Sequence, residues 1–127
     1  MQWFSGERVS RPLVLIVEDE PLLRLLAVSL IEEAGFDTLE ASSADQAIAF
    51  LETDAHIQIV FTDIDLPGGM DGMRLAAEIR DRWPPIELIL TSGHVKVSDA
   101  ELPARGHFFS KPYDAGQLIR TLRSLTP

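Results

Sequence analysis

FTDIDLPGG, residues 61–69, is the stretch on which the fold turns. An apolar run that begins at Ile57 leads into it and ends on two carboxylates, Asp63 and Asp65, one residue apart. A Pro and two Gly follow at once, which is loop composition. A continuous apolar run of this kind fits a strand buried on both faces, and such strands belong to parallel sheets covered by helices. The charge at its end would then lie where open α/β sheets bind ligands.

Working outward, LVLIV (13–17) reads as a second buried strand. Pro21 suits the first turn of a helix. Leu22, Leu26 and Leu30, with Leu23, Ala27 and Ala34, form an apolar stripe at helical spacing that Gly35 ends. DTLEA (37–41) alternates, as a less buried edge strand does. Ser43-x-x-Gln46 is a capping box that opens a helix on Ala44, Ala47, Ile48 and Leu51. Beyond the loop, Asp71 caps a helix carrying Leu75, Ala76, Ile79 and Trp83, which Pro84 and Pro85 close. IELIL (86–90) and HFFS (107–110) are two more strands. Between them, residues 97–102 are expected to form a short helix cut off by Pro103. Leu118, Ile119, Leu122 and Leu125 mark the final helix.

Strand and helix alternate five times. The expectation is an α/β fold, a doubly wound five-stranded parallel sheet flanked by five helices, the fourth one short. Residues 1–11 read as a flexible N-terminal tail, and residues 12–127 as one domain. The chain has 127 residues, 46% of them hydrophobic, enough for one core. No window reaches the roughly 18–20 apolar residues of a membrane span. The absence of cysteine excludes disulfides and zinc–thiolate sites and fits a cytoplasmic setting. A net charge of −9 argues against binding the phosphate backbone of a nucleic acid.

Right-handed crossovers bring the carboxyl ends of parallel strands to one edge. Glu18 and Asp19 follow the first strand, Asp63 and Asp65 the third, Thr91 and Ser92 the fourth, and Lys111 the fifth. Like charges ~5 Å apart repel by about 3 kcal/mol at an effective dielectric near 20. A hard divalent cation relieves that repulsion, and the all-oxygen donor set favours Mg²⁺ over zinc or copper. Lys111 and the Thr91 hydroxyl could then hold the anionic oxygens of a phosphoryl group on a carboxylate. Asp63, at the end of the expected central strand, is the best-placed acceptor. Each residue alone would be a cap, a turn or a surface charge; the conjunction carries the signal.

With LIVEDEP, FTDIDLP, LILTSGH and FFSKPY in this order and spacing, residues 12–125 resemble the response-regulator receiver domain of two-component signalling. The likeness is of the single-domain, chemotaxis-regulator-like kind. The resemblance implies a flavodoxin-like sheet of order 2-1-3-4-5. It implies that Asp63 is the phosphoacceptor and that Glu18, Asp19, Asp63 and the backbone carbonyl of Asp65 hold Mg²⁺. Thr91 would be the switch hydroxyl, Lys111 the phosphoryl partner, Phe108 the aromatic that turns inward on activation, and Lys111–Pro112 a cis peptide.

Four departures stand out against that family. Glu18 replaces the commoner Asp, and the loop at 67–72 is one residue longer. Phe108 lacks a Tyr hydroxyl, and the fourth helix is truncated.

The implied function is phosphoryl transfer to Asp63 from a histidine kinase or phosphotransfer protein, followed by a change of surface around residues 91–125 that a downstream protein reads. The chain would not be an enzyme, although self-phosphorylation from small donors and slow autodephosphorylation fit it. It would be a cytoplasmic bacterial protein, a monomer or a weak dimer through residues 91–125. It would stand alone or be cut from a longer regulator or hybrid kinase. The alternatives are a receiver-like module that works without phosphorylation and a phosphatase of the haloacid dehalogenase type. Pro67 and the missing cap domain speak against the phosphatase.

Overall fold

The computed structural model describes residues 11–54 and 56–126. The tail expected over residues 1–11 therefore lies outside the described residues, Arg11 excepted. Five strands, β1 (Leu13–Val17), β2 (Asp37–Ala41), β3 (Ile57–Asp63), β4 (Glu87–Ser92) and β5 (Gly106–Ser110), form one parallel sheet of order β2-β1-β3-β4-β5. Four helices, α1 (Pro21–Glu33), α2 (Ala44–Thr53), α3 (Gly72–Arg82) and α4 (Ala115–Ser124), pack on its two faces.

Strand alternation divides the core. Leu15, Val17, Val60, Leu88 and Leu90 meet α2 and α3 on one face, through Ala47, Leu51, Leu75 and Ile79. Val14, Ile16, Ile59, Phe61 and Ile89 meet α1 and α4 on the other, through Ala27, Ile31, Leu118 and Leu122. Each helix starts where its sequence supplies a cap. The side chains of Glu20, Ser43, Asp71 and Asp114 each accept a backbone N–H of the first turn, which would otherwise lack a partner. Among the described residues no helix is long and apolar enough to cross a membrane.

Two expectations need correction. The short fourth helix is only a single 3-10 turn, Asp99–Glu101, with no buried residue, so the described residues form four α-helices rather than five. The segment is too brief to offset the cost of nucleating a helix, Pro103 stops it, and Ser98, Asp99 and Glu101 give it no apolar face. The apolar stripe expected for α1 is only partly the packed side: Ala27 is buried and Leu30 and Ala34 are partly buried against the core. The buried residues of α1 are Ala27, Val28 and Ile31, while Leu22 and Leu26 are 61% and 58% exposed. This helix is apolar almost all round, so spacing alone does not choose the packed side.

Candidate functional site

The site residues hang from the last rungs of the sheet. Glu18 N–H donates to Ala41 O at 3.0 Å, Ile64 N–H to Thr91 O at 2.8 Å, and Lys111 N–H to Ser92 O at 2.8 Å. The ladder therefore runs just past each strand and fixes the backbone on which every functional side chain stands. Central β3 ends on Asp63, which is 5% exposed, beside Glu18 at 7% and Thr91 at 1%. Gly72, the first residue of α3, seals this corner: a Cβ there would overlap the Asp63 carbonyl and approach Ile64 Cα to 2.6 Å.

Lys111 Nζ donates to Asp63 Oδ2 at 3.1 Å and to Glu18 Oε1 at 3.2 Å. The Lys111–Pro112 peptide is cis. The other oxygens are held by backbone, with Asp65 N–H donating to Asp63 Oδ1 and Glu20 N–H to Glu18 Oε2, both at 3.1 Å. Burial works to lower the Lys111 ammonium, but the bonds and charges of Asp63 and Glu18 outweigh it and hold the group above its ordinary value. Burial pushes the Glu18 carboxyl up, against the Glu20 N–H and the Lys111 charge.

Glu18, Asp19 and Asp63 each place a carboxylate oxygen within 4.8 Å of the others. Three oxygen donors with no nitrogen or sulfur among them suit a hard divalent cation such as Mg²⁺. One ammonium shared between two of the three acids leaves negative charge for such an ion to balance. Asp65 does not join the group. Its Oδ2 accepts from Ser92 Oγ at 2.8 Å and lies 3.3 Å from His94 Nδ1. Thr91 and Lys111 line a cavity of about 370 Å³ between α1 and the segment after β5, with Leu23, Leu26, Phe61 and Tyr113. Phe108 sits apart from the acids, half-buried on β5 opposite Leu90.

Sequence reasoning missed three participants. His94, to which the sequence assigns no role, meets Asp65. Tyr113 stacks edge-on against Phe61, with ring centres 5.9 Å apart, at the wall of the cavity. Gly72 was noted only as part of a long loop. His94 and Tyr113 were within reach, since both follow strands at the edge where the acids gather.

A family profile described as the response regulator receiver domain matches residues 14–123. The chain is 34% identical over 116 residues to the sensor kinase CckA of Brucella abortus, covering 88% of this chain and 12% of that protein. It is 41% identical over 86 residues to the transcriptional regulatory protein AruR of Pseudomonas aeruginosa, covering 65% of this chain and 34% of that protein. It thus spans about a third or less of these curated relatives. Among solved structures, a response regulator receiver protein from Sinorhizobium medicae superposes with a TM-score of 0.83 at 30% identity, covering 95% of this chain and 96% of that one. On this agreement of strand order, strand-end residues and sequence, the chain belongs to the response regulator receiver domain family.

Proposed function

We propose that this chain accepts a phosphoryl group on Asp63 from a phosphohistidine of a sensor histidine kinase or phosphotransfer protein, and that the modification alters a protein-binding surface. The observation that carries the reading is the buried Asp63 carboxylate at the end of the central strand, held 3.1 Å from Lys111 Nζ beside two further acids. An Asp63 oxygen attacks phosphorus, and the bond between phosphorus and the imidazole nitrogen breaks, with the electron pair leaving on the imidazole. Lys111 stays beside the incoming phosphoryl oxygens and offsets their charge. Glu18, Asp19, Asp63 and the Asp65 backbone carbonyl would hold Mg²⁺. When bound, that ion supplies positive charge against the site's acids and the phosphoryl oxygens. Thr91, fully buried beside Lys111, gives its hydroxyl to the phosphoryl group, and Phe108 repacks with it. The outcome is a population shift at residues 91–125 rather than turnover of a substrate.

The donor's entrance is the α1 side. Leu22, Leu23, Leu25 and Leu26 of α1 are 42–61% exposed, and Leu23 and Leu26 line the cavity shared with Thr91 and Lys111. Each large apolar side chain left in water forgoes about 1.5–3 kcal/mol of burial, so a partner that covers them gains affinity next to the acceptor. The half-exposed edge strand β5 is consistent with a monomer or a weak dimer through residues 91–125. The setting is cytoplasmic.

Intact mass after incubation with acetyl phosphate and Mg²⁺ tests the reading. One added phosphoryl group is expected, absent without Mg²⁺ and absent in Asp63→Asn. Leu22→Asp, on the exposed face of α1 outside the cavity lining, should slow transfer from the partner while leaving uptake from acetyl phosphate intact. Failure to take up phosphate or beryllofluoride would favour the phosphorylation-independent binding module, a reading that the missing fourth helix supports.

A further inference from the structure

Asp65 stands two residues past the acceptor, and its carboxylate is tied elsewhere. Ser92 is fully buried, and its hydroxyl has no freedom. Its oxygen accepts the N–H of His94 at 3.0 Å and that of Val95 at 2.9 Å. Both acceptor positions are then used, and the single hydroxyl proton is left for Asp65 Oδ2 at 2.8 Å. His94 Nδ1 lies 3.3 Å from the same oxygen. A carboxylate can only accept, so the ring carries its proton on that nitrogen. The His94 side chain is 84% exposed and adds nothing to the core, so its contact with Asp65 is its structural role. One residue of backbone links this clamp to the acceptor, through the Asp65 N–H on Asp63 Oδ1.

We propose that Ser92 and His94 are positioning residues that hold the Asp65 carboxylate away from an acyl phosphate on Asp63 and thereby lengthen its lifetime. The proposal rests on Asp63 being the acceptor. Hydrolysis joins a water oxygen to phosphorus and breaks the bond from phosphorus to the Asp63 oxygen. That oxygen keeps the electron pair, and the products are inorganic phosphate and the free carboxylate. A base that takes a proton from the attacking water speeds this step. A released Asp65 is such a base on the same loop. With Oδ2 engaged by two donors it is fixed in direction, away from the acceptor.

The test is the decay of the phosphorylated chain, followed by intact mass after removal of acetyl phosphate. His94→Ala and Ser92→Ala should each shorten the half-life, by about fivefold, the scale of a barrier lowered by one hydrogen bond. His94→Asn, which keeps a donor near the Nδ1 position, should restore it. In an Asp65→Asn background the same two substitutions should change nothing. Because His94 is exposed, its variants report even if Ser92→Ala disturbs the loop. An unchanged half-life in His94→Ala, or equal shortening with and without Asp65, would overturn the proposal and leave only a loop staple. A wild-type chain that takes up no phosphoryl group would overturn the Asp63 reading, and this inference with it.

Discussion

Two connections leave the same sheet edge, and they are built differently. The one from β3 to α3 is anchored at both ends. Asp63 is buried, Ile64 O accepts from Leu66 and Gly72 N–H, Asp71 caps the helix, and α3 buries Leu75, Ala76 and Ile79. The one from β4 to β5 carries only a 3-10 turn without a buried residue, and Val97 and Leu102 are half-buried on the core. Near its far end Arg80 donates to the Ala104 carbonyl at 2.7 Å and, through the carbonyls of Pro84 and Ile86 at 2.6 and 2.7 Å, ties that end to the segment ahead of β4. The proposed acceptor Asp63 thus stands on a rigid post, while the segment that follows Thr91, the proposed switch residue, belongs to the weakly held part of the molecule. Local stability of this kind decides which parts of a fold can respond to a charge change.

The sharpest way to break the contrast is Gly72→Ala. The new methyl group has only the backbone of Asp63 and Ile64 to move, so a loss of about 2–3 kcal/mol is expected in urea unfolding, together with slower phosphoryl uptake. Arg80→Ala loosens the far end of the other connection together with the segment ahead of β4. Removing three charge-assisted bonds at a partly exposed site should cost about 2 kcal/mol, with uptake at Asp63 unchanged. Loss of uptake would mean that the two connections are not independent.

Gly68→Ala sharpens the comparison at an exposed loop tip. Gly68 has φ of +91° with open space around it, so any penalty is purely conformational, about 1 kcal/mol by thermal melting. The smallest effect is expected from Ser98→Ala. The Ser98 N–H and hydroxyl hold the Glu101 carboxyl below its ordinary value. A carboxyl lowered in the folded state adds stability above the ordinary range and loses it as pH falls through the lowered value. Ser98→Ala removes the hydroxyl but leaves the backbone N–H donating, so the Glu101 carboxyl should rise only part of the way towards the usual range in a carbon-13 titration, while the global melting temperature stays put.

Much of this was legible in the chain. LVLIV (13–17) and the run from Ile57 into Asp63 read as buried strands because a strand covered on both faces has no polar side to show. The acids, Thr91 and Lys111 could be assembled because parallel strands send all their carboxyl ends to one edge. Residues 97–102 were over-read, since apolar residues at both ends of a segment do not give it a face to bury.

The sequence by itself determined the strand order's ingredients, the helix caps and the set of groups at the sheet edge, because these depend on period two, period 3.6 and neighbours a few residues away. Tertiary structure alone decided which side of α1 is packed. A helix with Leu22, Leu23, Leu25, Leu26, Ala27, Val28, Leu30 and Ile31 offers several apolar faces, and small Ala27 lies on the one that meets the sheet. It also decided that Asp65 turns to Ser92 and His94 while Glu18, Asp19 and Asp63 converge. Those partners lie 27 and 29 residues from Asp65, and a hydrogen bond over that separation exists only once β3 and β4 are paired.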